Sequence, residues 1–202
     1  MPHELLRSRT VYDGRFVRVR IDEVDLGTSI VEREVVEETG EGVLVVPVTD
    51  LEEIVLVEQS RHLFGTTYEV PSGAINPGET PIEAAARELR EEAGLHAATL
   101  RLLSTHVNSV HMTGRNYYFL ATGLTECEGP DCDSDEEFIG RNAFSFEEVN
   151  RLIEADRIPD VRNRGCIWLA QLQLLTARAG RLEASRIGSS GPGAPPTQTI
   201  PD

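Results

Sequence analysis

The stretch GETPIEAAARELREEAGL, from Gly78 to Leu95, constrains the fold more than any other part of the chain. Its start and stop signals all specify one helix. Thr80 is a good N-cap, Pro81 suits the first helical position, and Glu83 completes a T-x-x-E capping box. Gly94 can take the left-handed conformation that closes a helix. At 100° per residue, Ile82, Ala85, Ala86, Leu89 and Ala93 are predicted to form one apolar stripe, which needs a core to pack on.

Beside that stripe lie Glu88, Glu91 and Glu92, related as i, i+3 and i+4. Arg87 precedes Glu91 by four residues and Glu83 precedes Arg87 by four, so ion pairs along the helix are expected. Like charges four apart cost only about a few tenths of a kcal/mol. A solvated acidic face is therefore one reading, and carboxylates gathered around a cation is the other. The surroundings favour the cation. The cluster borders the apolar stripe beside the small Ala84 and Ala85, and it follows the tight loop SGAINPG, whose carbonyls are near in sequence. Carboxylate and carbonyl oxygens are the hard ligands that Mg²⁺ prefers.

Around this helix the pattern is strand-rich. FVRVRIDEV alternates apolar and charged residues from Phe16 to Val24, and SIVEREVVEE follows Gly27 as the second arm of a hairpin. GVLVVPV and EIVLVEQSR flank TDLE and are expected to pair with each other. TTYEVPSG is a short strand ending in a turn. ATLRLLSTHV and NYYFLATGL are strands either side of the loop NSVHMTGR, and FIGRNAFSF is the last. Ser145, with Glu148 three residues on, caps a helix through SFEEVNRLIEADRI. Another helix is expected from Val161 to Arg178, and residues 184–202, rich in Gly, Pro and Ser, are expected to be disordered.

The chain has 202 residues, 40% of them hydrophobic, enough for one domain with a buried core. A net charge of −15 argues against nucleic acid as a partner. The longest apolar runs fall short of a membrane span, and MPHELLRSRT lacks the apolar core of a secretory signal. No membrane partner is expected, and the location expected is cytoplasmic. Every one of the 19 basic residues is an arginine, as a GC-rich coding sequence would give. Cys127, Cys132 and Cys166 lack zinc-ligand spacing; Cys127 and Cys132 could bridge a loop, although reduced thiols fit the cytosol better.

Gly73, Glu79, Arg87, Glu88, Leu89, Glu91, Glu92, Gly94 and Leu95 occupy every defined position of the Nudix box, G-x5-E-x7-R-E-U-x-E-E-x-G-U with U aliphatic. The chain thus resembles the Nudix hydrolases. The resemblance implies an α/β fold, a Nudix-type α/β/α sandwich with a mixed sheet. It also implies hydrolysis of a nucleoside diphosphate linked to a further group. Metal ligands would be Glu88, Glu92, Glu91 and the Ser72 carbonyl, with Mg²⁺ the cofactor and Mn²⁺ an alternative. Glu91 and Arg87 would be the catalytic pair, Glu91 as base and Arg87 orienting the carboxylates. Gly73, Glu79 and Gly94 would be structural, Glu79 bracing the loop against the helix.

Gln59, Ser60 and Arg61 match the Q-x-R of ADP-ribose pyrophosphatases, and Glu69, Pro71 and Gly73 match their E-x-P-x-G. This second resemblance implies substrate contacts from Arg61 and Glu69. It further implies a homodimer built through an N-terminal antiparallel strand element, residues 1–42, ahead of a hydrolase domain over 43–183. The loop after the box departs from the subfamily: Val110 stands where a proline is usual and Arg115 near where a glutamate is usual. His111, with a pKa near neutrality, and the acidic loop 131–137 become further candidates for the base, and His111 and Arg115 for substrate contacts. ADP-ribose or a related nucleotide sugar is the expected substrate. A different diphosphate metabolite, or a non-catalytic ligand sensor, are the alternatives.

Overall fold

The computed structural model describes residues 3–127 and 138–188. The acidic loop 131–137, Cys132 and the tail from residue 189 lie outside the described residues.

Thirteen elements follow in order: β1 Glu4–Asp13, β2 Val17–Asp25, β3 Ile30–Glu38, β4 Gly42–Pro47, β5 Ile54–Arg61, β6 Gly65–Glu69, β7 Ser72–Ala74, α1 Pro81–Ala93, β8 Leu95–Val107, β9 Arg115–Glu126, β10 Phe138–Phe144, α2 Phe146–Glu154 and α3 Val161–Gly188. They form three sheets. β1–β2–β3 is an antiparallel N-terminal sheet. β7–β4–β9–β8 is mixed, with β4 parallel to β9, and β10–β5–β6 is antiparallel. The Val17–Asp25 and Ile30–Glu38 hairpin predicted from alternation is present in continuous register. β4 and β5, expected to pair, instead belong to different sheets joined only by the Val48–Ile54 bridge. Residues 43–47 of β4 and 54–57 of β5 are buried apolar runs, and such runs carry no alternation that would assign them to one sheet.

The core brings the sheets and α1 together through Val43, Val45, Val57, Leu89, Leu95 and Phe119. Burying a side chain such as Leu89, 1% exposed, contributes roughly 1.5–3 kcal/mol. On the other side of β4, the buried thiol of Cys166 at the start of α3 donates to the Leu44 carbonyl at 3.8 Å. Helices thus cover both faces of the strands, the α/β/α arrangement. The corner between α2 and α3 is tied to β6: Tyr68 N–H donates to the Arg157 carbonyl and Val70 N–H to the buried Asn163 Oδ1 at 2.7 Å.

Both predicted capping boxes are formed, at Thr80 with Glu83 and at Ser145 with Glu148. Residues 171–188 belong to a separate compact unit and are helical through Gly188, with the Thr176 hydroxyl donating to the Leu172 carbonyl. α3 therefore runs ten residues past the expected end at Arg178 and includes residues 184–188. Among the described residues no helix is long and apolar enough to cross a membrane.

Candidate active site

The buried face of α1 differs from the predicted stripe. Ala84, Ala85, Glu88, Leu89, Glu92 and Ala93 are buried, while Ile82, 49% exposed, and Ala86 face outward. Two of the three clustered carboxylates therefore share the core-facing side with the alanines. Ala84 and Ala85, expected to leave room at the surface, are core residues. Of the two expected ion pairs Arg87–Glu91 is formed, but Glu83 is committed to the Thr80 cap, and Arg87 turns to Glu79 in its place.

Arg87 organises the cluster. Its Nε and Nη2 donate to the two carboxylate oxygens of Glu79 at 2.9 and 3.0 Å. Nη1 donates to Glu88 at 2.6 Å and to Glu91 at 3.0 Å, and Nη2 also reaches the Ala74 carbonyl at 2.8 Å. One planar guanidinium thus joins Glu79 of the loop, the Ala74 carbonyl of β7 and two carboxylates of the helix. The Arg87 hydrogen bonds hold the Glu79 carboxyl below its ordinary value, and the same bond raises Arg87 further. Glu79 also accepts from Asn76 N–H, closing the loop on itself. Arg90 holds the second oxygen of Glu91 at 2.9 Å.

Glu92 is fixed from the other side. Ser72 N–H donates to it at 2.8 Å and the buried Gln59 amide approaches it at 3.5 Å. Gly73 explains why the box must begin with glycine. A Cβ there would sit 2.1 Å from Glu88 Oε1, so only a hydrogen side chain lets this carboxylate lie against the strand. The loop therefore forms an oxygen-lined cradle from Ser72, Gly73, Glu88 and Glu92. Among the described residues no three His, Cys, Asp or Glu side chains converge as a ready-made ligand group. Oxygens of Glu88 and Glu91 face Arg87 instead. The donor set is nonetheless oxygen only and largely buried, and the buried Gln59 Oε1 beside it has no hydrogen-bond partner. These residues fit a hard divalent cation.

Ser72 and Gly73 also line a cavity of about 340 Å³, whose walls include Glu38, Arg61, Arg115 and Arg162. Arg61 is clamped by Glu69 through two 2.9 Å hydrogen bonds, and Thr67 supports Glu69 at 2.8 Å. Arg61, Arg115 and the cradle are thus brought together. His111 is not: it lines a different cavity with Ile21, Glu34 and Val36, and its carbonyl accepts from Val36 N–H. Met112 bridges to Val36, so the loop after the box packs on β3. Arg162 and Glu38 escaped the sequence reading. Arg162 lies 67 residues beyond the box in an ordinary helix start, with no local motif to single it out. Glu38 had a weak signal as the last residue of an alternating strand.

Residues 38–162 match the model of the NUDIX domain. An ADP-ribose pyrophosphatase of Mycobacterium tuberculosis is 35% identical over 154 residues, 74% of each chain. A methanol dehydrogenase activator of Bacillus methanolicus is 29% identical over 171 residues, covering 83% of this chain and 92% of the relative. The crystal structure of an ADP compounds hydrolase superposes with a TM-score of 0.76 at 22% identity, covering 88% of this chain and 96% of the other, and shares the fold.

Proposed function

The chain belongs to the Nudix hydrolase family, and we propose that it is a cytoplasmic, Mg²⁺-dependent pyrophosphohydrolase of ADP-ribose or a closely related nucleotide sugar. Nudix hydrolases generally use divalent metal ions. The reading rests on one juxtaposition: a cradle of buried carboxylates opens on a cavity whose remaining walls carry three arginines. Oxygen ligands for a dication stand beside guanidiniums for phosphate, as cleavage of a diphosphate requires. The resemblance to an ADP-ribose pyrophosphatase over most of the chain supports the substrate.

In this reading Glu88, Glu92, Glu91 and the Ser72 carbonyl hold the metal. The metal supplies charge neutralisation of the diphosphate and Lewis-acid activation of the attacking water. Arg61, oriented by Glu69, and Arg115 bind phosphate oxygens and place the diphosphate against the cradle. Water attacks one phosphorus, the bond to the bridging oxygen breaks, and a nucleoside monophosphate and a sugar phosphate leave. Glu91 accepts the water's proton. It is preferred to His111 because Arg87 and Arg90 fix both its oxygens beside Glu88, whereas His111 lines another cavity. The acidic loop 131–137, the third candidate, lies outside the described residues.

The N-terminal element, residues 1–42, which carries the sheet β1–β2–β3, serves in this proposal to join two copies. Leu5, Leu6, Val11, Tyr12 and Ile30 are all more than 45% exposed or at that limit, an apolar surface that a second subunit would cover. A second substrate reading, a different diphosphate metabolite, is favoured by Val110 and Arg115 in the departing loop. Incubation with ADP-ribose and a panel of nucleoside diphosphate derivatives, with Mg²⁺ or Mn²⁺, tests both. AMP and ribose 5-phosphate should appear with metal and not with EDTA. No cleavage of ADP-ribose, with rapid cleavage of another compound, would discard the substrate and keep the reaction.

A further inference from the structure

A second cavity, of about 500 Å³, lies against the first and shares Arg61 and Arg162 with it. Its other walls are His62, Leu63 and Phe64 from the turn after β5, Glu69 at the end of β6, and Pro159 and Asp160 from the turn before α3. Leu63 and Phe64 are 74% and 63% exposed, large apolar side chains left at the rim of a cavity whose inner wall is charged.

Arg162 is built for this junction. Asp160 accepts from its Nε at 2.9 and 3.1 Å, from its Nη2 at 2.5 Å and from its backbone N–H at 2.8 Å. One edge of the guanidinium is thus used up and its plane fixed, while Nη1 makes no hydrogen bond to the described residues. Burial pushes the Asp160 carboxyl up, but the Arg162 bonds outweigh it and hold it below its ordinary value, so the pair stays ionised. Arg61 is also oriented by a carboxylate, clamped along Nε and Nη2 by Glu69. An arginine whose orientation is set by a carboxylate on one edge is pre-organised to bind an anion on the other. The following residue, Asn163, anchors this turn to Val70, three residues before Gly73, so the junction and the cradle share a frame.

We propose that Arg162 is a third phosphate-binding arginine beside Arg61 and Arg115, holding the diphosphate where the two cavities meet, and that the larger cavity receives one of the two groups esterified to it. This rests on the diphosphate reading above. It implies that the site selects diesters with a group on both sides and discriminates against bare phosphates. Leu63 and Phe64 supply an apolar contact to the second group.

Calorimetric titration in EDTA, where no turnover occurs, separates this proposal from the catalytic one. Pyrophosphate and ADP-ribose are the probes. Arg162→Gln should weaken both by about tenfold to a hundredfold, the range of a lost charged hydrogen bond. Arg162→Lys should recover part of the loss, and Arg151→Gln on the exposed face of α2 should lose nothing. Phe64→Ala should weaken ADP-ribose and leave pyrophosphate unchanged. In the wild-type protein, ADP-ribose should protect Arg162 from phenylglyoxal, read by peptide mass mapping, which needs no substitution to fold. Unchanged affinity in a folded Arg162→Gln, or equal labelling with and without ligand, would overturn the role of Arg162. Equal effects of Phe64→Ala on both probes would overturn the assignment of the larger cavity. Failure of ADP-ribose hydrolysis alone, with these affinities as expected, would remove the proposed reaction and leave the binding assignment intact.

Discussion

The box helix and the N-terminal sheet are both laced with arginine–carboxylate pairs, yet they are held by different forces. In α1, Arg87 joins Glu79, Glu88 and Glu91 over a helix whose other buried residues are Ala84, Ala85, Leu89 and Ala93. In the N-terminal sheet, Arg20 joins Asp22 and Glu37, and Arg18 joins Asp13 and Glu37. Over β1, β2 and β3, however, the single buried side chain is Asp22, itself a carboxylate. Exposed ion pairs contribute about 0–1 kcal/mol each, so similar charge networks imply little about rigidity. What separates the two regions is apolar burial. The helix fixes its carboxylates because a core fixes the helix; the sheet has alternating strands and no core of its own.

The largest test of this contrast is chemical. Glu92→Gln keeps size and helix propensity but removes one charge from the cradle. Turnover should fall at least about a hundredfold, close to 3 kcal/mol of transition-state stabilisation. Glu83→Gln, on the exposed side of the same helix, preserves the capping box and should cost little. Steady-state kinetics with circular dichroism as a folding check would decide. Near-normal activity in Glu92→Gln would mean that burial of this carboxylate serves packing and not metal.

Next in size is the difference in packing. Leu89→Ala should destabilise the protein by about 2–5 kcal/mol, the range for emptying a buried leucine site. Val11→Ala, at a β1 position 47% exposed, should change monomer stability by no more than about 0.5 kcal/mol. Urea titration monitored by circular dichroism compares them. If the sheet is covered by a second copy, the Val11 effect should grow with protein concentration. Sedimentation should then give a dimer for the full chain, and monomers or insoluble protein without residues 1–40. A full-length monomer at micromolar concentration would remove the dimer proposal.

The same contrast explains what the sequence revealed. Signals that act within four residues were legible: both capping boxes, the Gly94 C-cap and the β2–β3 hairpin depend on neighbours along the chain. The box residues are recognisable through the family resemblance, because one helix and one loop fix their spacing. Sheet membership was not. β4 and the first half of β5 are similar buried apolar runs, and only β7, β9, β6 and β10 decide where each belongs. Apolar spacing alone does not place the buried face of α1, because the Ser72 amide and Arg87 make it possible to bury Glu88 and Glu92. Arg162 was invisible for a related reason. Its significance lies in sharing a cavity wall with Arg61, a relation of the fold and not of the local sequence.

The smallest expected effect lies in the one buried carboxylate of the N-terminal sheet. Burial raises the Asp22 carboxyl, but hydrogen bonds from Ser8 and Arg20, with the nearby Arg20 charge, outweigh it and hold it below its ordinary value of 3.8. A carboxyl whose folded value is depressed binds protons more weakly in the folded state than in the unfolded chain. Its contribution is therefore fully present above the unfolded value, near pH 3.9, and is lost as pH falls through the folded value. Ser8 lies on β1 and Arg20 on β2, so protonating Asp22 should loosen the outer strand first. Acid titration with amide hydrogen exchange should show β1 opening at a higher pH than α1, which the apolar packing of Leu89 and its alanines holds in place. Asp22→Asn keeps an acceptor for Ser8 but removes the charge, and should abolish the acid dependence of β1 protection while lowering that protection at neutral pH. If β1 and α1 lost protection together in the wild type, the sheet would be sharing the core's stability, and the contrast between the two regions would collapse.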